Sequence, residues 1–293
     1  MKKDFHWLKD RERLLLEQAR RSVYKTLDDG GELALHWFLP KDLREGGPRA
    51  VFLFFHGGAW DRGSVVQFAP HALHYVGRGA VCALVEYLHR ASHPGSSPSQ
   101  SHADARAAIR YAREQTAELN LDPARLIAVG AGAGANLAGA ASLGAALPTS
   151  ESAFDPAGSR PDAAVLISAI FDVVRGGPGY DLCVDAAEAR SLSLSRLVGS
   201  RKPPLLVLHG NADRVVPMEE ASAFVEKMER KKSPCRLVEF EGRDRDFFNL
   251  NVDPVSYEAV LAEIDAFLDG HGLLRKEPGE EGPNLLSWRE EDF

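Results

Sequence analysis

The sequence has few cysteines and no long apolar run, and both absences narrow the class of protein. Only three of its 293 residues are cysteines (Cys82, Cys183 and Cys235), without CxxC or metal-ligand spacing, which predicts neither a disulfide framework nor a metal site. No apolar stretch reaches the roughly 20 residues of a membrane-spanning helix, and the charged N-terminus lacks the apolar core of a signal peptide. We therefore expect a soluble, cytoplasmic protein without membrane contacts, or a secreted or periplasmic one if a leader has been removed.

Basic surface is also scarce. The chain carries 35 Lys and Arg against 42 Asp and Glu, a formal net charge of -7. No basic run with interleaved aromatic residues stands out, so nucleic acid is not an expected partner. With 44% hydrophobic residues, the chain can bury one large core. Composition leaves the oligomeric state open.

What is present is an alternation of apolar strand-like runs with helical patterns. Several of the runs, such as VFLFF and VCALV, are apolar on both faces, which is typical of strands covered by helices on each side. The sequence therefore predicts an α/β fold with an open, mainly parallel sheet. The strand-like segments are Leu33–Leu39, Ala50–His56, Ala80–Tyr87, Arg125–Val129, Ala163–Ala169, Leu205–His209 and Arg236–Phe240, and helical patterns lie near 67–78, 102–118, 135–147, 217–231 and 255–268.

Other segments fall outside this alternation. A charged helical pattern over residues 8–22 predicts an N-terminal helical extension (1–23) before a single domain (24–274). Within that domain, residues 148–200 are rich in Ser, Gly, Pro and Asp, and we expect a loop-rich lid insertion there. Residues 275–293 form an acidic C-terminal tail.

Four short motifs follow strand-like runs. They are HGGAW (56–60), GAGAG (130–134), HGNADRVVP (209–217) and EGRDRDFFN (241–249). Glycines after a strand can turn backbone N–H groups toward a developing oxyanion, and a strand–turn–helix with small residues has the shape of a nucleophile elbow, G-x-S-x-G. The centre of that turn here is Gly132, which has no side chain. Asp213 fits either an acid that orients a catalytic histidine or a turn and helix-capping residue.

In order and spacing, the motifs resemble those of the esterase/lipase group of α/β-hydrolases, which includes acetyl-xylan esterases, carboxylesterases and kynurenine formamidase. The resemblance runs from about Tyr24 to Leu274 and implies the α/β-hydrolase fold, with no cofactor. It assigns an oxyanion hole to Gly57, Gly58 and the amide of Ala133, the triad acid to Asp213, and a binding position to Trp60. Two positions depart from the family pattern: Gly132 stands where the family has the nucleophilic serine, and Arg245 where it has the catalytic histidine. The only histidine after Asp213 is His271, which the sequence places at the end of the last helix.

These departures predict a catalytically degenerate esterase homologue. Loss of nucleophile or base typically costs about a millionfold in kcat. We expect Arg245 to pair with Asp213, in a bidentate manner, unless Arg245 points into solvent. A pocket lined by backbone N–H groups favours a small acyl or anionic ligand.

Three alternatives stay open from the sequence. One is a hydrolase-fold enzyme that works without the usual Ser–His pair, and another is a true esterase. The third is an NAD(P)-binding oxidoreductase, because Gly130, Gly132 and Ala135 also fit G-x-G-x-x-G/A with Glu151 downstream. Ser64 is the hydroxyl nearest in sequence to the first motif but has no evident base. The histidines at 89, 93 and 102 are interpreted as surface-loop residues.

Overall fold

The computed structural model describes residues 14–144 and 158–274. Its centre is one eight-stranded sheet with the spatial order β1-β2-β4-β3-β5-β6-β7-β8. The strands are β1 (Arg20–Thr26), β2 (Glu32–Phe38), β3 (Arg49–Phe55), β4 (Val81–Val85), β5 (Leu121–Ala131), β6 (Ala163–Ile167), β7 (Leu205–Gly210) and β8 (Cys235–Phe240).

The sheet is antiparallel at one edge and parallel elsewhere. β1 pairs antiparallel with β2, and β2 pairs antiparallel with β4, while every neighbouring pair from β4 to β8 is parallel. This is the mainly parallel sheet of an α/β-hydrolase, and it confirms the predicted fold class. The glycine-rich turn follows β5, in the middle of this sheet, and not the first strand of a dinucleotide-binding unit, which disfavours the oxidoreductase alternative; Glu151, on which that alternative also relied, lies outside the described residues.

Helices cover both faces, as the apolar strands require. The helices are α1 (Ala69–Gly77), α2 (Pro98–Glu114), α3 (Ala133–Leu143), α4 (Ala186–Leu192), α5 (Leu194–Leu197), α6 (Met218–Arg230) and α7 (Pro254–Gly270), with short 3-10 helices at Val65–Phe68 and Tyr180–Leu182. Buried side chains of α2, α3 and α6 pack in one hydrophobic cluster, and those of α1 and α7 pack in a second. No helix in the described part of the chain is long and apolar enough to cross a membrane.

Two boundaries differ from the sequence prediction. Residues 14–17 are helical, but the predicted helix over 8–22 is wrong at its end, because Arg20 begins β1. β1 is an edge strand, and because an edge strand is half exposed it tolerates polar residues. Its charged residues therefore looked like the continuation of a charged helix. The predicted insertion at 148–200 is not one loop-rich segment either. Its described part contains the fully buried strand β6 and the short helices α4 and α5, and residues 145–157 lie outside the described residues.

Parallel strands end at one edge of the sheet, and that edge positions the candidate site. Phe55 of β3 pairs with Gly130 of β5, which pairs in turn with Leu166 of β6. The residues that follow these strand ends are therefore neighbours. The loops after β7 and β8, which carry Asp213 and Arg245, open at the same edge.

Candidate active site

The turn between β5 and α3 has the backbone of a nucleophile elbow. Gly132 adopts φ 54° and ψ -112°. This backbone conformation is strained for any residue that carries a side chain. The glycines on either side leave no room for a side chain. A Cβ on Gly130 would lie 2.2 Å from the carbonyl oxygen of Gly134, and a Cβ on Gly134 would lie 2.0 Å from the carbonyl oxygen of Phe55. The chain thus builds the tight turn that presents a nucleophile, without a nucleophile on it.

Arg245 occupies the space that a side chain at position 132 would need. A Cβ built on Gly132 would lie 2.7 Å from Arg245 Nη2, closer than such contacts occur in proteins. The same nitrogen donates to the carbonyl oxygen of Ser168 at 3.1 Å. The guanidinium is therefore held over the elbow.

Asp213 anchors the other end of the guanidinium. Arg245 Nη1 donates to Asp213 Oδ2 at 3.3 Å, and the Asp213 side chain is completely buried. The predicted contact between the two residues is confirmed, but it is made by one nitrogen, since Nη2 turns to Ser168 instead. The second oxygen, Asp213 Oδ1, accepts from the amides of Val215 (2.8 Å) and Val216 (3.1 Å). Asp213 is thus both a turn former and the acid that faces residue 245.

Gly57 and Gly58 of the first motif differ in whether their amides are free to bind a ligand. The Gly57 amide donates to Gln67 Oε1 at 2.7 Å, so the expectation that this amide faces a ligand is corrected. Gly58 has φ 123°, and a Cβ there would lie 1.8 Å from the carbonyl oxygen of Arg62, so the turn requires glycine. Its amide donates to no protein acceptor among the described residues and remains available to a ligand.

Trp60 and Ala133 are more buried than their assigned roles suggest. Trp60 is 1% exposed, and its ring packs against Gly179 and lies 6.3 Å, centroid to centroid, from the buried His102 ring. Trp60 is therefore a core residue, which corrects its assignment to binding, and His102 is not the surface histidine expected. Ala133 is also fully buried. It is the first residue of α3, a position whose amide has no partner within the helix, and its role in the oxyanion hole stays a prediction.

A small cleft opens beside the guanidinium. Its volume is about 50 Å³, room for a few water molecules. The lining residues are Gly57, Gly58, Gln67, Ala131, Gly132, Ser168, Arg245, Asp246 and Phe248. Sequence reasoning missed Gln67, Ser168 and Asp246. Ser168 could have been found, because it directly follows β6 at the carboxyl edge of the sheet, whereas the sequence around Gln67 carries no such signal.

The hydroxyl of Ser168 does not replace the missing nucleophile. Ser168 has a positive φ of 44°, and its Oγ donates to the carbonyl oxygen of Arg245 at 2.9 Å. The nearby His209 is fully buried, and its Nε2 contacts the carbonyl oxygen of Val216 at 2.9 Å. Burial lowers the pKa of His209. No imidazole among the cleft's lining residues could take a proton from Ser168.

The charges of the cleft oppose each other. Arg245 supplies a cation, whereas Asp246, at the rim, supplies a carboxylate. The pKa of Asp246 is raised by partial burial and by the neighbouring Asp244, while Arg245 acts in the opposite direction. Across residues 14–144 and 158–274, no group of three or more metal-ligating side chains is placed to hold an ion. His271 ends α7, as predicted, where its Nδ1 contacts the carbonyl oxygen of Phe267.

Known structures and sequences share this architecture. A structure of esterase 2 from Thermogutta terrifontis, phosphoramylated by tabun, is 32% identical and superposes with a TM-score of 0.82, covering 89% of this chain and 98% of that one. The chain belongs to the α/β-hydrolase esterase/lipase family. The BD-FAE family model matches residues 35–175 of this α/β-hydrolase.

Two further relatives match at lower identity. Esterase LipQ of Mycobacterium tuberculosis is 28% identical over 225 residues, which are 70% of this chain and 53% of that protein. A probable isoprenylcysteine alpha-carbonyl methylesterase of Arabidopsis thaliana is 25% identical over 77% of this chain and 50% of its own length. This α/β-hydrolase thus spans about half the length of these two relatives.

Proposed function

We propose that this α/β-hydrolase homologue does not perform serine-esterase chemistry and that its former active site binds a small carboxylate or a similar small anion. One observation carries the proposal: Arg245 Nη2 lies 2.7 Å from the point that a Cβ on Gly132 would occupy. The nucleophile's position is therefore filled by a cation.

The case against catalysis rests on both reactive groups. Gly132 offers no hydroxyl, and Arg245 cannot act as a base because a guanidinium stays protonated at any working pH. The expected loss in kcat is about a millionfold. Different chemistry on Asp213 and Arg245 is not favoured either, since the two side chains hold each other.

The case for an anion rests on the donors that remain. A guanidinium has five N–H donors, and two of the Arg245 nitrogens account for one protein contact each. Its side chain is still 24% exposed. The free Gly58 amide lies in the same lining. Guanidinium and backbone N–H groups together match the geometry of a carboxylate.

The size of the ligand is suggested by a relative. Structures of Thermogutta terrifontis esterase 2 are described with propionate bound (30% identical, TM-score 0.81) and with butyrate bound (31%, 0.79). A short carboxylate of that kind is the ligand we infer for this chain. The small volume of the cleft supports it.

An esterase assay tests the catalytic half of the proposal. The natural chain should hydrolyse p-nitrophenyl acetate and butyrate at the uncatalysed background rate. A Gly132→Ser/Arg245→His variant should gain at least about a hundredfold, since it restores a nucleophile and a general base. Gly132→Ala/Arg245→His is the matched control, because it fills the turn without a hydroxyl. Hydrolysis by the natural chain at the rate of an ordinary esterase would refute the proposal.

Titration with sodium butyrate, followed by calorimetry, tests the binding half. Binding should be saturable, and Arg245→Met, which keeps the aliphatic length but removes the charge, should weaken it about tenfold or more. Equal affinity in the two proteins would show that the guanidinium is not the anion's partner. The two halves are independent, because an inert site need not bind butyrate.

A further inference from the structure

A second, larger cavity lies at the same end of the sheet. Its volume is about 300 Å³, at the lower end of the range for small-molecule pockets. Its lining includes Glu32, His56, Glu86 and Tyr87. None of these residues lines the cleft at Arg245, although His56 and Gly57, which are adjacent in sequence, line one cavity each. We call it the rear cavity.

His56 turns an unused acceptor toward the rear cavity. The side chain is almost fully buried, and its Nδ1 donates to the carbonyl oxygen of Gly57 at 2.8 Å. Burial lowers the pKa of His56 to about 4, so the ring is neutral at pH 7 and Nε2 carries a bare lone pair. Within the described chain, Nε2 has no hydrogen-bond partner. Nε2 is not one of the fully buried nitrogens that lack a partner, so it is open to the cavity, where it can accept a hydrogen bond from a ligand.

The carboxylates of the rear cavity are acceptors as well. Burial alone would raise the pKa of Glu86, but hydrogen bonds from His36 and the Ala34 amide bring it below its usual value. The Glu86 side chain is still 30% exposed, which leaves lone pairs for a ligand. Glu32 pairs with Arg21 at 2.9 Å. Arg21 also acts on Glu86, whose pKa it helps to lower, but no lysine or arginine lines the cavity itself, so the carboxylate of Glu86 is the charge that a ligand meets there.

An aromatic wall completes the rear cavity. The rings of His56 and Tyr87 stack with centroids 4.3 Å apart, and the Tyr87 hydroxyl donates to the carbonyl oxygen of His56 at 2.6 Å. This bond fixes the tyrosine ring. Aromatic rings attract cations through their faces, so the wall and the carboxylates favour the same charge.

We propose that the rear cavity binds a small organic ammonium ion, with its N–H groups donating to His56 Nε2 and to the Glu86 carboxylate. The ligand is a cation because the groups left open to it, His56 Nε2 and the Glu86 carboxylate, are acceptors, and the ring faces attract positive charge. The proposal stands apart from the anion site, since the two cavities share no lining residue.

Titration with n-butylammonium chloride tests the proposal. Calorimetry should show saturable binding, and Glu86→Gln should weaken it about tenfold, because a charged hydrogen bond becomes a neutral one. Glu45→Gln, an exposed glutamate before β3, is the matched control and should bind like the natural chain. Equal affinity in Glu86→Gln, with the variant shown to be folded by its thermal transition, would overturn the proposal.

A spectroscopic readout on the natural chain avoids any dependence on variants. In ¹H–¹⁵N spectra of the imidazoles, the Nε2 resonance of His56 should shift with butylammonium and stay unmoved with butyrate. An unmoved resonance with butylammonium, or no saturable heat, would refute the site. Equal binding of tetramethylammonium, which has no N–H group, would refute the hydrogen bonds, and displacement of butylammonium by stoichiometric Zn²⁺ would identify a metal site instead.

Discussion

The turn at residues 130–134 and the loop at 241–249 meet at the same site, yet they are constrained in different ways. In the turn, Gly130 and Gly134 touch backbone atoms of α3 and β3, so no side chain fits. In the loop, Arg245 is partly exposed and reaches its partners through a long, flexible side chain. Packing therefore dictates the turn, whereas it leaves position 245 open to different chemistry.

The difference explains why the site looks like an esterase and lacks its reagents. The backbone of a nucleophile elbow is also the joint by which α3 packs against β3, and that joint is needed whether or not the chain is an enzyme. Positions 132 and 245 have no comparable structural role. Family resemblance thus indicates the backbone fold, whereas function has to be inferred from the side chains of the site.

Gly134→Ala should break the frame and have the largest effect. The new Cβ would lie 2.0 Å from the carbonyl oxygen of Phe55 and 2.4 Å from that of His56, both backbone atoms. We expect unfolding free energy to fall by about 3 kcal/mol or more, at the upper end for overpacking. Urea unfolding measures it. Gly270→Ala at the end of α7, where nothing lies within 4 Å, should change stability by less than about 1 kcal/mol. Equal effects at the two positions would mean that the turn yields more easily than its contacts indicate.

Gly132→Ser tests how far the loop adapts to the turn. The serine meets two costs: a positive φ, about 1–3 kcal/mol, and displacement of the Arg245 guanidinium. In an Arg245→Ala background only the first cost remains. A double-mutant cycle on urea unfolding should therefore show a coupling of about 1 kcal/mol. A coupling near zero would show that the guanidinium leaves position 132 without loss.

Most of the fold could be predicted from the sequence, because buried strands and amphipathic helices have characteristic patterns of apolar residues. Seven of the strands were located by their apolar runs. The missing one, β1, is an edge strand whose arginines are half exposed. Its place in the sheet depends on pairing with β2, which no local pattern encodes.

The candidate site was predictable in its frame and in the Asp213–Arg245 contact, but not in its detail. Opposite charges at the acid and histidine positions favoured a pair, and the structure contains one. The sequence could not reveal that Nη2 would turn to Ser168, or that Gln67 would occupy the Gly57 amide. Both depend on the relative placement of loops that are far apart in the chain.

Asp246 gives the most sensitive test of the difference between the turn and the loop. It belongs to the loop at 241–249, and its negative charge repels the proposed anion. Its pKa is raised mainly by partial burial and by Asp244, so it becomes neutral at a higher pH than an ordinary aspartate. As pH falls toward that range, repulsion is lost and anion affinity should rise. Methanesulfonate is a suitable probe, because its own charge does not change there. We expect a rise of about threefold, small because the group is largely exposed. Asp246→Asn should bind more tightly at neutral pH and lose this dependence, and a natural chain whose affinity falls on acidification would show that Asp246 does not face the bound anion.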